Sequence, residues 1–202
     1  MATTPETVIL ASASSARAAL LRVAGVAFTV EPSAVDETAI KHEHRKAGHD
    51  ARVCAMALAE AKAAAVAARH PTAFVIGADQ ILVAGDDWFD KPADRDQAAE
   101  QLRQLRGREH TLVTAACVYR GDVRQWGAIS APKLAMRRFG EDFIARYIEA
   151  EGDAVLGSVG AYRIEGRGVQ LFARITGDHF AILGLPLLEL LEFLRGHGVL
   201  AA

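Results

Sequence analysis

The sequence predicts an α/β fold, because strand-like and helix-like segments alternate along its length. A short apolar run, "TVILAS" (Thr7–Ser12), precedes a segment with helical periodicity that ends at a glycine, "SARAALLRVAG" (Ser15–Gly25). An Ala-rich helical segment, Asp50–His70 with Asp50 as its N-cap, precedes a second apolar run, "TAFVIGADQILVA" (Thr72–Ala84). No repeat or long linker divides the chain, so we expect residues 1–202 to form a single domain.

The other segments extend this alternation. Val26–Pro32 alternates like a strand, and the polar segment Ala39–Asp50 is expected at the surface. Its "HEH" (His42–His44) is interpreted as a solvated loop rather than a metal site, since no H-E-x-x-H pattern occurs. The later expectations are a hairpin turn with Asp86 and Asp87, a helix over 94–107, paired β-rich runs over 109–121 and 122–139, a helix over 141–152, a strand over 169–178 and a helix over 185–198.

Composition excludes several classes of protein. The chain has 51% hydrophobic and 24% charged residues and a net charge of -2, which argues against a nucleic-acid-binding surface. Cys54 and Cys117 form no C-x-x-C pair and are expected to be reduced, buried thiols. No signal peptide and no membrane span is recognisable, so we expect a cytoplasmic protein without membrane partners. The P-loop, the full G-x-G-x-x-G and the G-x-S-x-G motifs are all absent.

The turn between the first strand and the first helix is a candidate phosphate site. Ser12, Ser14 and Arg17 bring hydroxyl groups and a guanidinium to a helix N-terminus, where free N–H groups favour anions. The alternative is a serine N-cap followed by a surface arginine, and the segment taken alone favours that alternative.

Lys62 lies on an apolar helix face, because Leu58, Lys62 and Val66 are spaced four residues apart with Cys54 near the same face. Its ammonium group either reaches out to the helix edge or points into a cleft, and the sequence does not distinguish the two.

Asp79 directly follows the apolar run "FVIGA" and is expected at the end of its strand. A buried carboxylate there requires a metal, a lysine or hydrogen-bond donors. Sites in α/β folds gather at strand ends, where Glu37, Lys62 and Lys91 are candidates to join Asp79. Two carboxylates on Mg²⁺, with lysines and Arg17 on phosphate oxygens, would suit a polyphosphate. Spacing alone leaves this convergence open, and Glu37 by itself resembles an ordinary loop acid.

Seven short motifs in order resemble the Maf proteins, nucleotide pyrophosphatases related in fold to ITP-cleaving house-cleaning enzymes. The resemblance runs nearly from end to end of the chain. The motifs are "LASASSARAALL" (Leu10–Leu21), "VDE" (Val35–Glu37), "AEAKA" with Lys62, "GADQ" with Asp79, "KP" (Lys91–Pro92), "GAYRIEGRG" (Gly160–Gly168) and "GDHFAILGLPL" (Gly177–Leu187).

The resemblance implies a central mixed twisted sheet flanked by helices, with two lobes around a cleft. It also implies cleavage of nucleoside triphosphates between the α and β phosphates with Mg²⁺ or Mn²⁺. A homodimer is common in the family, and the alternative function is a nucleotide-binding regulator of septum formation with little turnover. By the same resemblance, the catalytic residues are Asp79 (the base), Lys62 and Lys91, the metal ligands are Glu37 and Asp79, and the substrate-binding residues are Ser12, Ser14, Ala16, Arg17, Gln80 and Glu165.

Two departures bear on the substrate. The family's Pro-Arg-Arg is Ser15-Ala16-Arg17 here, so one arginine is lost. Gln80 and Glu165 resemble the branch that prefers 7-methyl-GTP rather than the branch that prefers dTTP and UTP. In the 7-methyl-GTP branch a tryptophan stands at the position of Ala16, which cannot stack on a base. Glu165 nevertheless offers acceptors to the N1–H and N2–H₂ donors of guanine, so a preference for guanine-type triphosphates is expected.

Overall fold

The computed structural model describes residues 6–201, with strands and helices interleaved as expected for an α/β protein. The strands are β1 (Val8–Leu10), β2 (Thr29–Val30), β3 (Phe74–Ala84), β4 (Asp87–Phe89), β5 (Glu109–Arg120), β6 (Val123–Ser130), β7 (Lys133–Met136) and β8 (Phe172–Thr176). The α-helices are α1 (Ser15–Val23), α2 (Glu37–Lys46), α3 (Ala51–Ala67), α4 (Arg95–Leu105), α5 (Glu141–Glu151), α6 (His179–Ile182) and α7 (Leu187–Gly196). Between α5 and β8 the chain forms short 3-10 helices at Gly152–Gly157, Val159–Ala161 and Arg167–Leu171.

The strands form one mixed sheet in the order β2-β1-β3-β5-β7-β8, with β4 paired to β3 and β6 paired to β5. This confirms the expected central mixed sheet. The chain divides into two compact units, and both β3 and β5 contribute to each of them. The first unit comprises Met1–Asp79, Thr114–Ser130 and His179–Ala202, and the second comprises Gln80–Val113 and Ala131–Asp178. Among the helices of residues 6–201, none has the length and hydropathy needed to cross a membrane.

In the first unit, parallel pairing brings several chain segments to one edge of the sheet. Leu10 of β1 lies opposite Ile76 of β3, and the Ala11 amide donates to the Ile76 carbonyl at 2.8 Å. β2 is parallel to β1 on the other side. The segments that leave β1 and β2 therefore emerge beside Gly77–Asp79, because parallel strands have their carboxyl ends at the same edge.

Helix α3 begins and packs as the sequence predicts. Asp50 is its N-cap and accepts from the Val53 amide at 2.9 Å. The face that carries Cys54, Leu58 and Val66 is buried. Cys54 and Cys117 are buried thiols that form no disulfide, and burial raises the pKa of Cys117 to about 12. Both cysteines are therefore packing residues.

The second unit contains the expected hairpin and helices. β3 and β4 pair antiparallel around Gly85, whose φ of +67° requires the left-handed conformation that glycine adopts without strain. Helix α4 begins after Asp94, which accepts from the Gln97 amide at 2.8 Å. Asp86 lies in the turn, whereas Asp87 begins β4 opposite Ala84, so its prediction as a turn residue was wrong.

Three local expectations differ from the structure. The segment that contains His42–His44 is not a loop, because Asp36 caps α2 by accepting from the Ala39 amide at 2.9 Å. None of the residues in α2 is buried, so the helix lacks the apolar stripe that would have identified it. The expected strand over 26–32 shortens to two residues, and the run over 122–139 divides into β6 and β7 on either side of Pro132.

Candidate active site

The turn between β1 and α1 has the predicted serine cap but a buried arginine. Ser14 is the N-cap and its Oγ accepts from the Arg17 amide at 3.4 Å, while Ser12 Oγ accepts from the Ser14 amide at 3.3 Å. Arg17 is only 8% exposed. The interpretation as a serine cap was therefore correct, and the interpretation of Arg17 as a surface residue was wrong. Ala16 is half-buried.

The Arg17 guanidinium is held from two sides. Its Nε donates to the Gly184 carbonyl at 2.9 Å and one terminal nitrogen donates to Ser12 Oγ at 3.0 Å. Gly184 has a φ of +109°, and a Cβ there would lie 3.0 Å from the Arg17 Nε, so the close approach requires glycine. Gly184 was not predicted as a site residue, although it lies in the quoted "GDHFAILGLPL" motif.

Burial lowers the pKa of Arg17, while the charges of Asp79 and Glu37 raise it. A guanidinium stays charged in proteins, so Arg17 brings a desolvated positive charge close to both carboxylates. This arrangement can stabilise an anion bound at the start of α1.

Lys62 points inward and contacts both predicted acids. Its Nζ lies 2.6 Å from Asp79 Oδ1 and 2.8 Å from Glu37 Oε1. Lys62 is 6% exposed, whereas the side chain of Glu37 is 46% exposed. The open choice between the helix edge and the interior is thus settled in favour of the interior.

Close packing of α3 on β3 makes the Lys62–Asp79 contact possible. Gly77 lies two residues before Asp79, and a Cβ at Gly77 would be 2.1 Å from the Ala59 carbonyl oxygen and 2.8 Å from the Ala63 Cβ. Only glycine allows this approach of helix and strand. The sequence signal for it was the glycine inside the apolar run, a position that often marks close backbone approach.

Asp79 lies in the middle of β3, because the strand continues to Ala84. The prediction that Asp79 ends its strand was therefore wrong, although the sheet edge formed by β1 and β2 does lie beside it. Asp79 is 5% exposed, and its Oδ2 has no hydrogen-bond partner among the described residues. A buried carboxylate oxygen without a donor is costly, which indicates a place for a proton donor or a cation.

A hard divalent cation fits this donor set. Asp79 Oδ2 has no hydrogen-bond donor among residues 6–201, and the Glu37 carboxylate contacts the same Lys62 ammonium as Asp79. Within residues 6–201, no three His, Cys, Asp or Glu side chains form a metal-binding group. Mg²⁺ needs no such protein cage, because it is commonly bound by one or two carboxylates together with water and substrate phosphates.

The other predicted site residues belong to the second unit. Gln80 follows Asp79 on β3 and is half-buried, and Lys91 is exposed shortly after β4 ends at Phe89. Glu165 is exposed, with its Oε1 3.3 Å from Arg163 Nε. The adjacent turn is closed by the Gly166 amide, which donates to the Arg163 carbonyl at 3.1 Å. The Glu165 side chain therefore plays no part in that backbone hydrogen bond.

A buried carboxylate paired with a buried lysine, with a buried arginine whose charge interacts with it, is typical of enzymes that act on phosphate-containing substrates when it lies where parallel strands end. Comparison with known families is more specific. A family model described as "Maf-like protein" matches residues 7–197, and the chain belongs to this family.

Curated relatives match almost the whole chain. A protein of Granulibacter bethesdensis named nucleoside triphosphate pyrophosphatase is 51% identical over 192 residues, which are 95% of this chain and 98% of the relative. A Rhodospirillum rubrum protein of the same name is 48% identical and covers 96% of each chain. A Rhizobium meliloti protein named 7-methyl-GTP pyrophosphatase is 45% identical, with 96% of this chain and 98% of the relative covered.

We predict that Gly77→Ala disrupts the Lys62–Asp79 contact. The added Cβ meets the backbone of α3, so the helix must move away, with a loss of about 1–3 kcal/mol in the free energy of unfolding. Urea unfolding measures this loss. Gly196→Ala is the matched control, because a Cβ at this helical position meets nothing within 4 Å. Equal stability of the two variants would contradict the packing argument.

Proposed function

We propose that the chain is a metal-dependent nucleoside triphosphate pyrophosphatase that hydrolyses the α–β phosphate bond and releases a monophosphate and pyrophosphate. The observation that carries the proposal is the buried Asp79, whose Oδ1 is held by Lys62 while Oδ2 has no donor among the described residues. The names of the curated relatives support the same activity.

In this proposal, Asp79 acts as the general base. Lys62 donates to Oδ1, which fixes the carboxylate and leaves Oδ2 as the oxygen that takes a proton from the attacking water. Arg17 and Ser12 at the start of α1 bind phosphate oxygens, and the N-terminal amides of the helix assist them. We assign Ser14 to the same turn and Lys91 to phosphate oxygens.

Glu37 and Asp79 would hold the metal, with the remaining positions taken by water and phosphate oxygens. A bound Mg²⁺ or Mn²⁺ would neutralise phosphate charge and so favour attack by water. The Lys62 ammonium contacts both carboxylates, and its positive charge offsets their mutual repulsion.

We further propose that the substrates are non-canonical or modified nucleotides, with a preference for guanine-type bases such as 7-methyl-guanine. Glu165 has an exposed carboxylate that can accept from both N1–H and N2–H₂ of guanine, and Gln80 can donate to O6. Support comes from the relative named 7-methyl-GTP pyrophosphatase.

A nucleotide-binding regulator of cell division with little turnover is the second candidate. Ala16 favours it, because the family has an arginine at this position and its loss removes one phosphate contact. The buried Lys62–Asp79 pair argues against it, since binding alone requires no unpartnered carboxylate oxygen.

We expect Asp79→Asn to lower turnover by about 10²–10⁴-fold, because an amide cannot accept the proton of the attacking water. Wild type with Mg²⁺ should convert nucleoside triphosphates to monophosphate and pyrophosphate, and a chelator should abolish this. Chromatography identifies the products, and calorimetry should show that the variant still binds nucleotide.

Near-normal turnover of Asp79→Asn would exclude Asp79 as the base. Release of orthophosphate and a diphosphate by wild type would contradict cleavage of the α–β bond. Nucleotide binding without any turnover in wild type would support the regulator.

For base choice, we predict that Glu165→Gln narrows the preference for 7-methyl-GTP and GTP over UTP and dTTP by roughly tenfold, because a charge-assisted bidentate contact contributes about 1–3 kcal/mol. The ratios of kcat/KM on the four nucleotides measure the effect. Glu149→Gln removes the same charge from an exposed position on α5 and should leave the ratios unchanged. A wild-type preference for UTP or dTTP would show that Glu165 does not read the base.

A further inference from the structure

The Gln101 side chain on α4 joins two segments that carry proposed substrate-binding residues. Its Nε2 donates to the Asp90 carbonyl at 2.9 Å, and its Oε1 accepts from the Gly160 amide at 3.1 Å. Asp90 directly precedes Lys91, and Gly160 begins the segment that leads to Glu165. All these residues lie in the second unit.

The orientation of the amide is fixed by its partners. A backbone carbonyl can only accept and a backbone N–H can only donate, so a flipped Gln101 amide would lose both hydrogen bonds. Glutamate at this position would keep the acceptor for Gly160 but would face the Asp90 carbonyl with a second acceptor. The two hydrogen bonds can therefore be removed separately or together.

The turn that Gln101 holds has an unusual backbone. Gly160 has a φ of 78° and Ala161 a φ of 58°, and Ala161 is the one non-glycine residue with positive φ within 6–201. A Cβ at Gly160 would lie 2.5 Å from the Leu82 Cδ1, so only glycine fits. A left-handed alanine costs about 1–3 kcal/mol and persists only when its surroundings impose it.

The residue that follows this turn is anchored as well. Tyr162 is buried, and its hydroxyl lies 2.7 Å from His110 Nε2 on β5. Burial lowers the pKa of His110 to about 4, so the ring is neutral near pH 7. The Tyr147 hydroxyl donates to the Ala161 carbonyl at 3.3 Å. Each residue of the stretch 160–162, which precedes Glu165, is thus held by a hydrogen bond, and Gln101 holds the first of them.

We propose that Gln101 is a positioning residue that couples phosphate contact to base recognition, because one side chain holds both the Lys91 segment and the turn before Glu165. The inference rests on the proposed function, in which Lys91 contacts phosphate and Glu165 reads the base. Gln101 itself does not touch the nucleotide. Its effect is to set the position of both segments at once.

Three variants test this coupling. Gln101→Met removes both hydrogen bonds at similar side-chain length, and Gln101→Glu keeps the acceptor for the Gly160 amide. Gln104→Met is the matched control, since Gln104 lies on the same helix, is exposed, and its side chain bonds to Glu100 within α4. Calorimetry with α,β-methylene analogues of GTP and UTP gives affinities, and kcat/KM on 7-methyl-GTP and UTP gives discrimination.

We expect Gln101→Met to weaken binding of both analogues by roughly tenfold, because the Lys91 segment is no longer held in place before the nucleotide binds, and to reduce discrimination between the bases. Gln101→Glu should weaken the binding of both analogues equally and retain discrimination. Gln104→Met should match wild type in both measurements.

The inference is overturned if Gln101→Met matches Gln104→Met, or if it lowers the melting temperature without changing affinity or discrimination. If wild type binds the analogues but hydrolyses no triphosphate, the pyrophosphatase proposal fails while the affinities still test Gln101. If wild type binds no nucleotide, both proposals are wrong.

Discussion

The contact between the Lys62 ammonium and the Asp79 carboxylate is the interaction on which the rest of the candidate site depends. Both groups are buried, and Lys62 Nζ lies 2.6 Å from Asp79 Oδ1. The contact requires α3 to lie against β3 without a side chain at Gly77. Lys62 also contacts Glu37, the first residue of α2. This contact places the start of α2, a helix without buried residues, beside Lys62.

The cluster of Arg17, Lys62, Asp79 and Glu37 is poorly explained by stability. Replacing a buried ion pair with apolar residues is often neutral or stabilising, because desolvation offsets the attraction between the charges. Here a third buried charge, Arg17, is added, and one carboxylate oxygen lacks a donor among the described residues. Such an arrangement is more easily understood as a site prepared for a charged phosphate and a cation than as a structural device.

The sequence predicted those parts of the site that depend on local periodicity. Lys62 stood out because its neighbours at four-residue spacing are apolar, and Asp79 stood out as an acid inside a buried strand. The burial of Arg17 was not predictable in this way, because its partner Gly184 lies 167 residues away. Helix α2 was missed because its stability depends on a cap and on end contacts rather than on an apolar stripe. The extent of β3 followed from the apolar run over 72–84, whereas the position of Asp79 in the middle of the strand rather than at its end did not.

A double-mutant cycle on the free energy of unfolding tests most directly whether Lys62 and Asp79 depend on each other. Lys62→Met should destabilise the protein by about 3 kcal/mol, since the buried Asp79 carboxylate loses its hydrogen-bonded counter-charge. Asp79→Asn should cost less, because Lys62 keeps its contact with Glu37. The double variant should lose less free energy of unfolding than the two single variants lose together, because it leaves neither member of the pair charged. The difference should exceed about 1 kcal/mol. Additive losses, equal within about 0.5 kcal/mol, would show that the two side chains are energetically independent and would contradict the account.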